Sequence, residues 1–218
     1  MYNIFTHSIL YAHIKVKLRI DRMERIMAKK SFPGNTALSP LPVVMVSCCR
    51  TGEKPNIITV AWTGIINSHP AKTYVSIRPE RYSHDIIKET GEFVINLTSS
   101  ELTRKCDSCG VYTGKKVDKF KKYNLTPEYP ENNEVSCPMI GESPISLCCK
   151  VDRIIPLGSH DMFIADIVGV YVDEKLIDEN DRISYEKASL ISYVHGGYFA
   201  MGKKLGTFGY SVAKKKKK

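Results

Sequence analysis

Strand-like runs dominate this 218-residue chain, and its helical signals interrupt them instead of alternating with them. That arrangement constrains the fold more than any single motif. Regular strand–helix alternation builds parallel sheets, and a G-x-G-x-x-G opening a helix would mark a dinucleotide-binding fold. Neither feature is present in the sequence. Runs joined by turns and short excursions pair antiparallel, and closing such a sheet on itself removes its exposed edges. The expected fold is therefore mainly β with helical insertions, a mostly antiparallel closed barrel.

The clearest unit runs from Asn67 to Thr98. Residues 73–77 (TYVSI) are β-branched or aromatic apart from Ser76, and Arg78–Pro79 ends the run because proline has no ladder donor. Ser83 suits the N-cap of HDIIKET, with Asp85 in the first turn and Gly91 as the stop. FVINL then resumes as a buried strand. Arg78 and Arg81 thus flank a helix N-terminus, whose free N–H groups and positive dipole end favour an anion. Guanidinium forks and a serine hydroxyl together suit a phosphate.

Further strands are expected over Val43–Cys49, over IITVAWTGII as one run, over ISLCCKVDRIIPLG and DMFIADIVGVYVD, and around Leu190–Val194. Residues 100–109 predict a short helix capped by Ser99 or Ser100, and VDKFKKYN predicts another. Leu125–Pro144 holds four prolines and little periodicity, which predicts an ordered arm able to cover a partner subunit.

The net charge of +9 is concentrated at the ends. Lys214–Lys218 supply five positive charges and residues 1–26 a net three, so residues 27–213 carry only +1. A nearly neutral body weighs against nucleic acid or an anionic membrane as the principal partner, although the lysine run would attract any polyanion. No apolar run approaches the length of a membrane span. Residues 1–26 are expected to be an extension preceding a start at Met27, with residues 27–212 as the domain and 213–218 as a lysine-rich tail. Seven cysteines without a cleavable leader pattern predict reduced thiols and a cytoplasmic protein.

Cys106 and Cys109 form C-D-S-C, half of a zinc site or a redox pair; without a second such pair, no metal site is expected. Cys48–Cys49 and Cys148–Cys149 are adjacent, so each pair points to opposite faces of its strand. His160 and His195 fall at strand edges, where an imidazole can act as acid or base. Neither G-x-S-x-G nor H-E-x-x-H occurs, which weakens hydrolase and zinc-protease readings.

Several segments in order carry a resemblance: NIITVAWTG from Asn56, SIRPERYSH from Ser76, TGEFVINLT from Thr90, DSCG at 107–110, DKF at 118–120, ESP at 142–144 and GSHD from Gly158. Over about Met27–Val212 the chain resembles the flavin reductase-like family of FMN-binding split barrels, flavoredoxin-like proteins among them. The resemblance implies a homodimer with FMN at the subunit interface. It implies Thr59, Ala61 and Trp62 along the flavin, Ser76, Arg78 and Ser83 near its phosphate, and Asn96, Leu97 and Thr98 against the cofactor edge. Asp118, Lys119 and Phe120 are implied as a neighbouring element, and His160 as the catalytic histidine. It further implies an FMN-dependent oxidoreductase, either a flavin reductase using NADH or NADPH transiently or an electron-transfer protein with a protein redox partner. A non-catalytic FMN carrier or storage protein is the alternative, and a phosphate- or nucleic-acid-binding barrel the rival from outside flavin chemistry. Ser159 stands where NADH-using relatives carry an acidic residue.

Overall fold

The computed structural model describes residues 13–19 and 29–213. The chain forms two compact units, Met1–Ala37 and Leu38–Lys218. In the first, residues 13–19 form an exposed helix, α1. The expected start at Met27 and the lysine run Lys214–Lys218 lie outside the described residues.

The second unit is built on seven antiparallel strands. These are β2 (Val44–Cys48), β3 (Asn56–Val60), β4 (Thr63–Ser68), β5 (Ala71–Ile77), β6 (Glu92–Leu97), β9 (Ile145–Pro156) and β10 (Asp161–Val172), in the order β3-β2-β6-β9-β10-β5-β4. The two edge strands, β3 and β4, are joined by only Ala61 and Trp62, so the ends of the sheet must meet and the sheet curls into a split barrel. A backbone bond from Ser76 N to Trp62 O, 2.9 Å, carries the β4–β5 pairing one residue further into the Ala61–Trp62 link. IITVAWTGII is therefore two strands, not the single run expected: its apolar pattern continues, but the chain changes sheet edge in the middle.

Alternation fills the barrel. Val44, Val46 and Cys48 of β2, Ile58 and Val60 of β3, Phe93 and Ile95 of β6, and Phe163 and Ala165 of β10 meet inside it. Helix α2 (Tyr82–Thr90) adds Ile86 and Ile87 to this interior. Each buried Val, Ile or Phe side chain among them is worth roughly 1.5–3 kcal/mol of transfer free energy. Met45 of β2 and Ile57 of β3, with Val43 just before β2, face outward and are covered by α3 (Thr103–Val111), the turn before it and α4 (Lys119–Lys122), through Leu102, Cys106, Cys109 and Phe120. Being buried on both faces explains why β2 reads as a nearly continuous apolar run, interrupted only by Ser47.

Helix α2 begins two residues earlier than an N-cap at Ser83 predicts. Arg81 is its N-cap, and Ser83 lies within the first turn, buried, with its hydroxyl accepting from Asn56 Nδ2 at 2.8 Å. The expected stop holds: Gly91 sits at φ +70°, where glycine alone carries no Cβ penalty. The adjacent cysteines divide as alternation demands, Cys48 and Cys149 into the barrel and Cys49 and Cys148 outside it.

The proline-rich arm folds back as a small ribbon, β7 (Pro127–Glu128) with β8 (Met139–Ile140). Its Val135, Cys137 and Met139 are buried against Cys49, Val94 and Cys148. The arm packs on its own sheet, because alternate residues of the sheet present apolar groups there that need burial. A three-stranded sheet completes the unit: β1 (Leu41–Pro42), β11 (Ile191–Val194) and β12 (Gly197–Ala200). No helix among the described residues is long and apolar enough to cross a membrane.

Candidate functional site

The seam between β3 and β4 opens onto a cleft of about 470 Å³. One wall is the edge strand β3 with the Ala61–Trp62 link; an edge strand pairs on one side only, so it has peptide groups to offer a ligand. The end of β5 supplies Ser76, Ile77 and Arg78, placed there because Pro79 stops the strand at the rim. Arg81 follows at the start of α2, Gly110 at the end of α3, and Tyr193 and Tyr198 reach in from the β11–β12 hairpin.

At the mouth, Trp62 and His160 stack with ring centroids 4.4 Å apart and planes inclined by 36°. The indole remains 38% exposed, so it forms part of the rim and not of the packed interior. Burial, and then the charge of Arg78, push the His160 pKa below its usual range, which keeps the imidazole neutral at neutral pH. Its Nδ1 lies 3.0 Å from Ser159 Oγ.

A smaller pocket of about 130 Å³ shares Ile58, Glu80 and Arg81 with the cleft and continues to Asn56, Ser83, Thr113, Gly114 and Lys119. Lys119 is 2% exposed, and its ammonium donates to Cys109 O at 2.8 Å and to Ile57 O. It has no carboxylate in ion-pair range among the described residues. Burial, reinforced by the nearby Arg81 charge, lowers its pKa to about 8. Two cations thus sit together with carbonyls, and neither is ion-paired to a carboxylate among the described residues although Glu80 lines the same walls, an arrangement that an anion would complete. Gly114 belongs to the same wall, and a Cβ there would stand 2.1 Å from Asn56 Oδ1.

The expected site residues divide into groups. Thr59, Ala61, Trp62, Ser76, Arg78 and His160 line the cleft; Ser83 and Lys119 line the adjoining pocket. Asp118 caps α4 by accepting from Lys121 N at 3.1 Å and borders a surface hollow that shares Asn56, Tyr82 and Gly114 with that pocket. Phe120 is buried in the packing beneath α3. Asn96 is fully buried, with Nδ2 donating to Met45 O and Ser47 Oγ, both at 3.0 Å, and Oδ1 accepting from Ile140 N and Ser146 Oγ, both at 2.9 Å. It braces four segments and has no group left for a ligand. Leu97 packs between two core clusters, and the Thr98 hydroxyl is spent on Cys106 Sγ at 3.7 Å. These four residues stand apart from the cleft because inward alternation and hydrogen-bond satisfaction claim them first. Arg81, whose Nη2 donates to Gly110 O, reads in the sequence only as a charge near a helix start, Tyr198 only as one of several tyrosines near basic residues, and Tyr193 has no local signal.

Cys106 and Cys109 are both fully buried, and burial raises both thiols, Cys109 to about 12, so neither is a thiolate at neutral pH. His195 occupies the β11–β12 turn at φ +37°, away from the cleft lining.

Residues 36–201 match the model of the flavin reductase like domain. The chain belongs to this flavin reductase-like family. Flavoredoxin of Desulfovibrio vulgaris (Miyazaki F) superposes with a TM-score of 0.78 and 31% identity over 85% of this chain and 100% of that one. Flavoredoxin from Methanosarcina acetivorans gives 0.75 and 25%, over 85% of this chain and all of its own. An FMN-binding protein from Thermus thermophilus shares the fold at 0.68 with 21% identity, over 83% of this chain and 97% of that one. Family membership carries flavin reductase- or flavoredoxin-type electron transfer as the general activity, and the split-barrel fold predicted from the sequence is the one observed.

Proposed function

We propose that the cleft and its adjoining pocket hold FMN and that the chain is an FMN-dependent oxidoreductase. The observation that carries this reading is the paired cations Arg81 and Lys119, neither ion-paired to a carboxylate among the described residues, at the end of a flavin-sized cleft. Arg81, Ser83 and Lys119 would hold the phosphate, with Ser76 and Arg78 nearer the opening. Arg78 is the weaker phosphate candidate, since it is exposed and faces Glu80 at 3.6 Å. Thr59, Ala61 and the peptide edge of β3 would receive the ring system, and Trp62 with His160 would limit access to it. FMN supplies the one- and two-electron chemistry itself. The polypeptide therefore needs to bind and orient it, exclude water from one side and leave the other accessible. Neutral His160 is placed to hold a hydrogen bond at the mouth, either to the cofactor or to an incoming donor.

The chain is further read as a homodimer that shares this site. An apolar stretch after β12 supports that reading: Met201, Leu205, Phe208 and Val212 are all at least two-thirds exposed, and Met201 lines a groove of about 930 Å³ along β1 and β11. Burial of such a surface favours association. The electron donor is NADH, NADPH or a reduced protein, and the acceptor a flavin or a protein.

Anaerobic absorption spectroscopy of the FMN-loaded protein tests the reading. Rapid bleaching by one nicotinamide establishes a flavin reductase and names its donor. Persistence of the yellow colour with both points to a protein donor, or to a carrier with little turnover. Failure to bind FMN removes the proposal and restores the phosphate- or nucleic-acid-binding alternatives.

A further inference from the structure

We propose that the α3–α4 region is a docking surface for the acidic face of a small electron-transfer protein, an inference that rests on the FMN oxidoreductase reading. Residues 104–122 hold seven basic residues against Asp107 and Asp118, a net +5, of which buried Lys119 belongs to the pocket and the surface keeps +4, whereas residues 27–213 as a whole carry +1, so the remainder of that span carries −4. The positive charge of the domain is gathered in one place. Arg104, Lys115, Lys116, Lys121 and Lys122 are exposed, and none forms an ion pair among the described residues. Lys54 joins them, its side chain 83% exposed and its nearest carboxylate, Asp118, 3.9 Å away.

The centre of this patch is apolar. Val111 is 68% exposed and Tyr112 48%, and Lys122 Nζ stands 4.1 Å over the Tyr112 ring. An exposed aromatic and aliphatic pair ringed by cations has the anatomy of a protein interface, with a desolvated core and a charged rim that steers approach. The location is equally specific. Gly110 lines the cleft, and Tyr112 and Thr113 line the pocket that joins it, so a partner seated here lies beside the proposed cofactor.

Charge complementarity selects the partner. An acidic protein surface matches the compact patch, while a long nucleic acid would have to continue across the net negative remainder of the domain, where it is repelled. The inference concerns recognition only and adds no redox step to the proposed activity.

The test uses the FMN-loaded full-length chain and three chemically reduced probes: two small acidic ferredoxins and an acidic flavodoxin. A basic cytochrome of similar size and single-stranded oligothymidylate serve as controls. Wild-type protein is compared with the triple variant Lys115→Glu, Lys116→Glu, Lys122→Glu, and with a chain in which each of Lys214–Lys218 is replaced by serine. At low salt the triple variant should lose at least about tenfold in the association rate with one or more acidic probes, and the difference should vanish at high salt. At high salt, where the reversed charges are screened, its FMN affinity should equal that of wild type, since none of the three residues lines the cleft or its adjoining pocket. Equal association rates for wild type and triple variant with every acidic probe overturn the proposal. So does dependence on the terminal lysines alone, or patch-dependent binding of the oligonucleotide without binding of any acidic protein. Loss of FMN binding by wild type would instead refute the functional reading, while association with the probes remains measurable without the cofactor.

Discussion

Replacing Lys119 by methionine separates phosphate recognition from every other part of the proposed site. The ammonium is buried, held by the carbonyls of Ile57 and Cys109, and lies with Arg81 in the pocket that adjoins the cleft. A charge-assisted hydrogen bond to phosphate contributes about 1.5–3 kcal/mol. Its loss should raise the Kd for FMN by about 10- to 150-fold at pH 7. Riboflavin has the same ring but no phosphate, and its Kd should move by less than about threefold, on the same energetic argument.

The pH dependence follows from the lysine's depressed pKa. The folded, ligand-free chain loses this proton near pH 8, whereas the unfolded chain keeps it to about its ordinary 10.5. The unfolded state therefore binds more protons between those values, and wild-type stability gains from this group as pH rises from 8 to 10.5. The shift corresponds to a cost of about 3 kcal/mol for holding the charge at neutral pH. Methionine removes that cost but leaves two carbonyls without a donor, at about 1–3 kcal/mol each. The two effects largely offset at pH 7, so the variant should fold. FMN affinity of wild type should fall as pH rises through 8, and that dependence should be absent from the variant. Fluorescence titration with FMN and riboflavin in parallel measures both effects. Equal losses for the two flavins, or an unchanged FMN affinity, would refute the placement of phosphate beside Lys119.

Two further outcomes are expected. Phe163→Ala empties a fully buried position in the barrel and should cost about 3–5 kcal/mol, read as a lower urea midpoint at constant slope; a change below about 1 kcal/mol would contradict its packed position. Arg78→Ala removes the second cause of the low His160 pKa, so NMR titration of the imidazole should show its pKa rising towards the usual histidine range; no change, or a fall, would place the guanidinium elsewhere.

Local chemistry made much of the architecture readable in the sequence. Pro79 does end β5, Gly91 does terminate α2, and the paired cysteines do split between the faces of their strands. What escaped were features decided by closure of the barrel. Nothing in IITVAWTGII announces that Ala61 and Trp62 bridge the two sheet edges, because the residues on both sides retain strand chemistry. Ser83 has the composition of a cap, but Asn56, 27 positions away, claims its hydroxyl. Asn96 looked like a polar group available to a ligand and is instead a fully satisfied brace. The site was legible where one segment supplied it, from Ser76 to Ser83, and illegible where distant hairpins contributed Tyr193 and Tyr198. Lys119 was identified through family resemblance, while its buried position and missing counterion required the fold.

The most direct measurement of the central claim is size-exclusion chromatography with light scattering and dual-wavelength absorbance on the full chain equilibrated with excess FMN. The account predicts flavin co-eluting with protein at one FMN per chain, in a particle with the mass of two chains. Elution of colourless protein, with all FMN in the small-molecule volume, would contradict it.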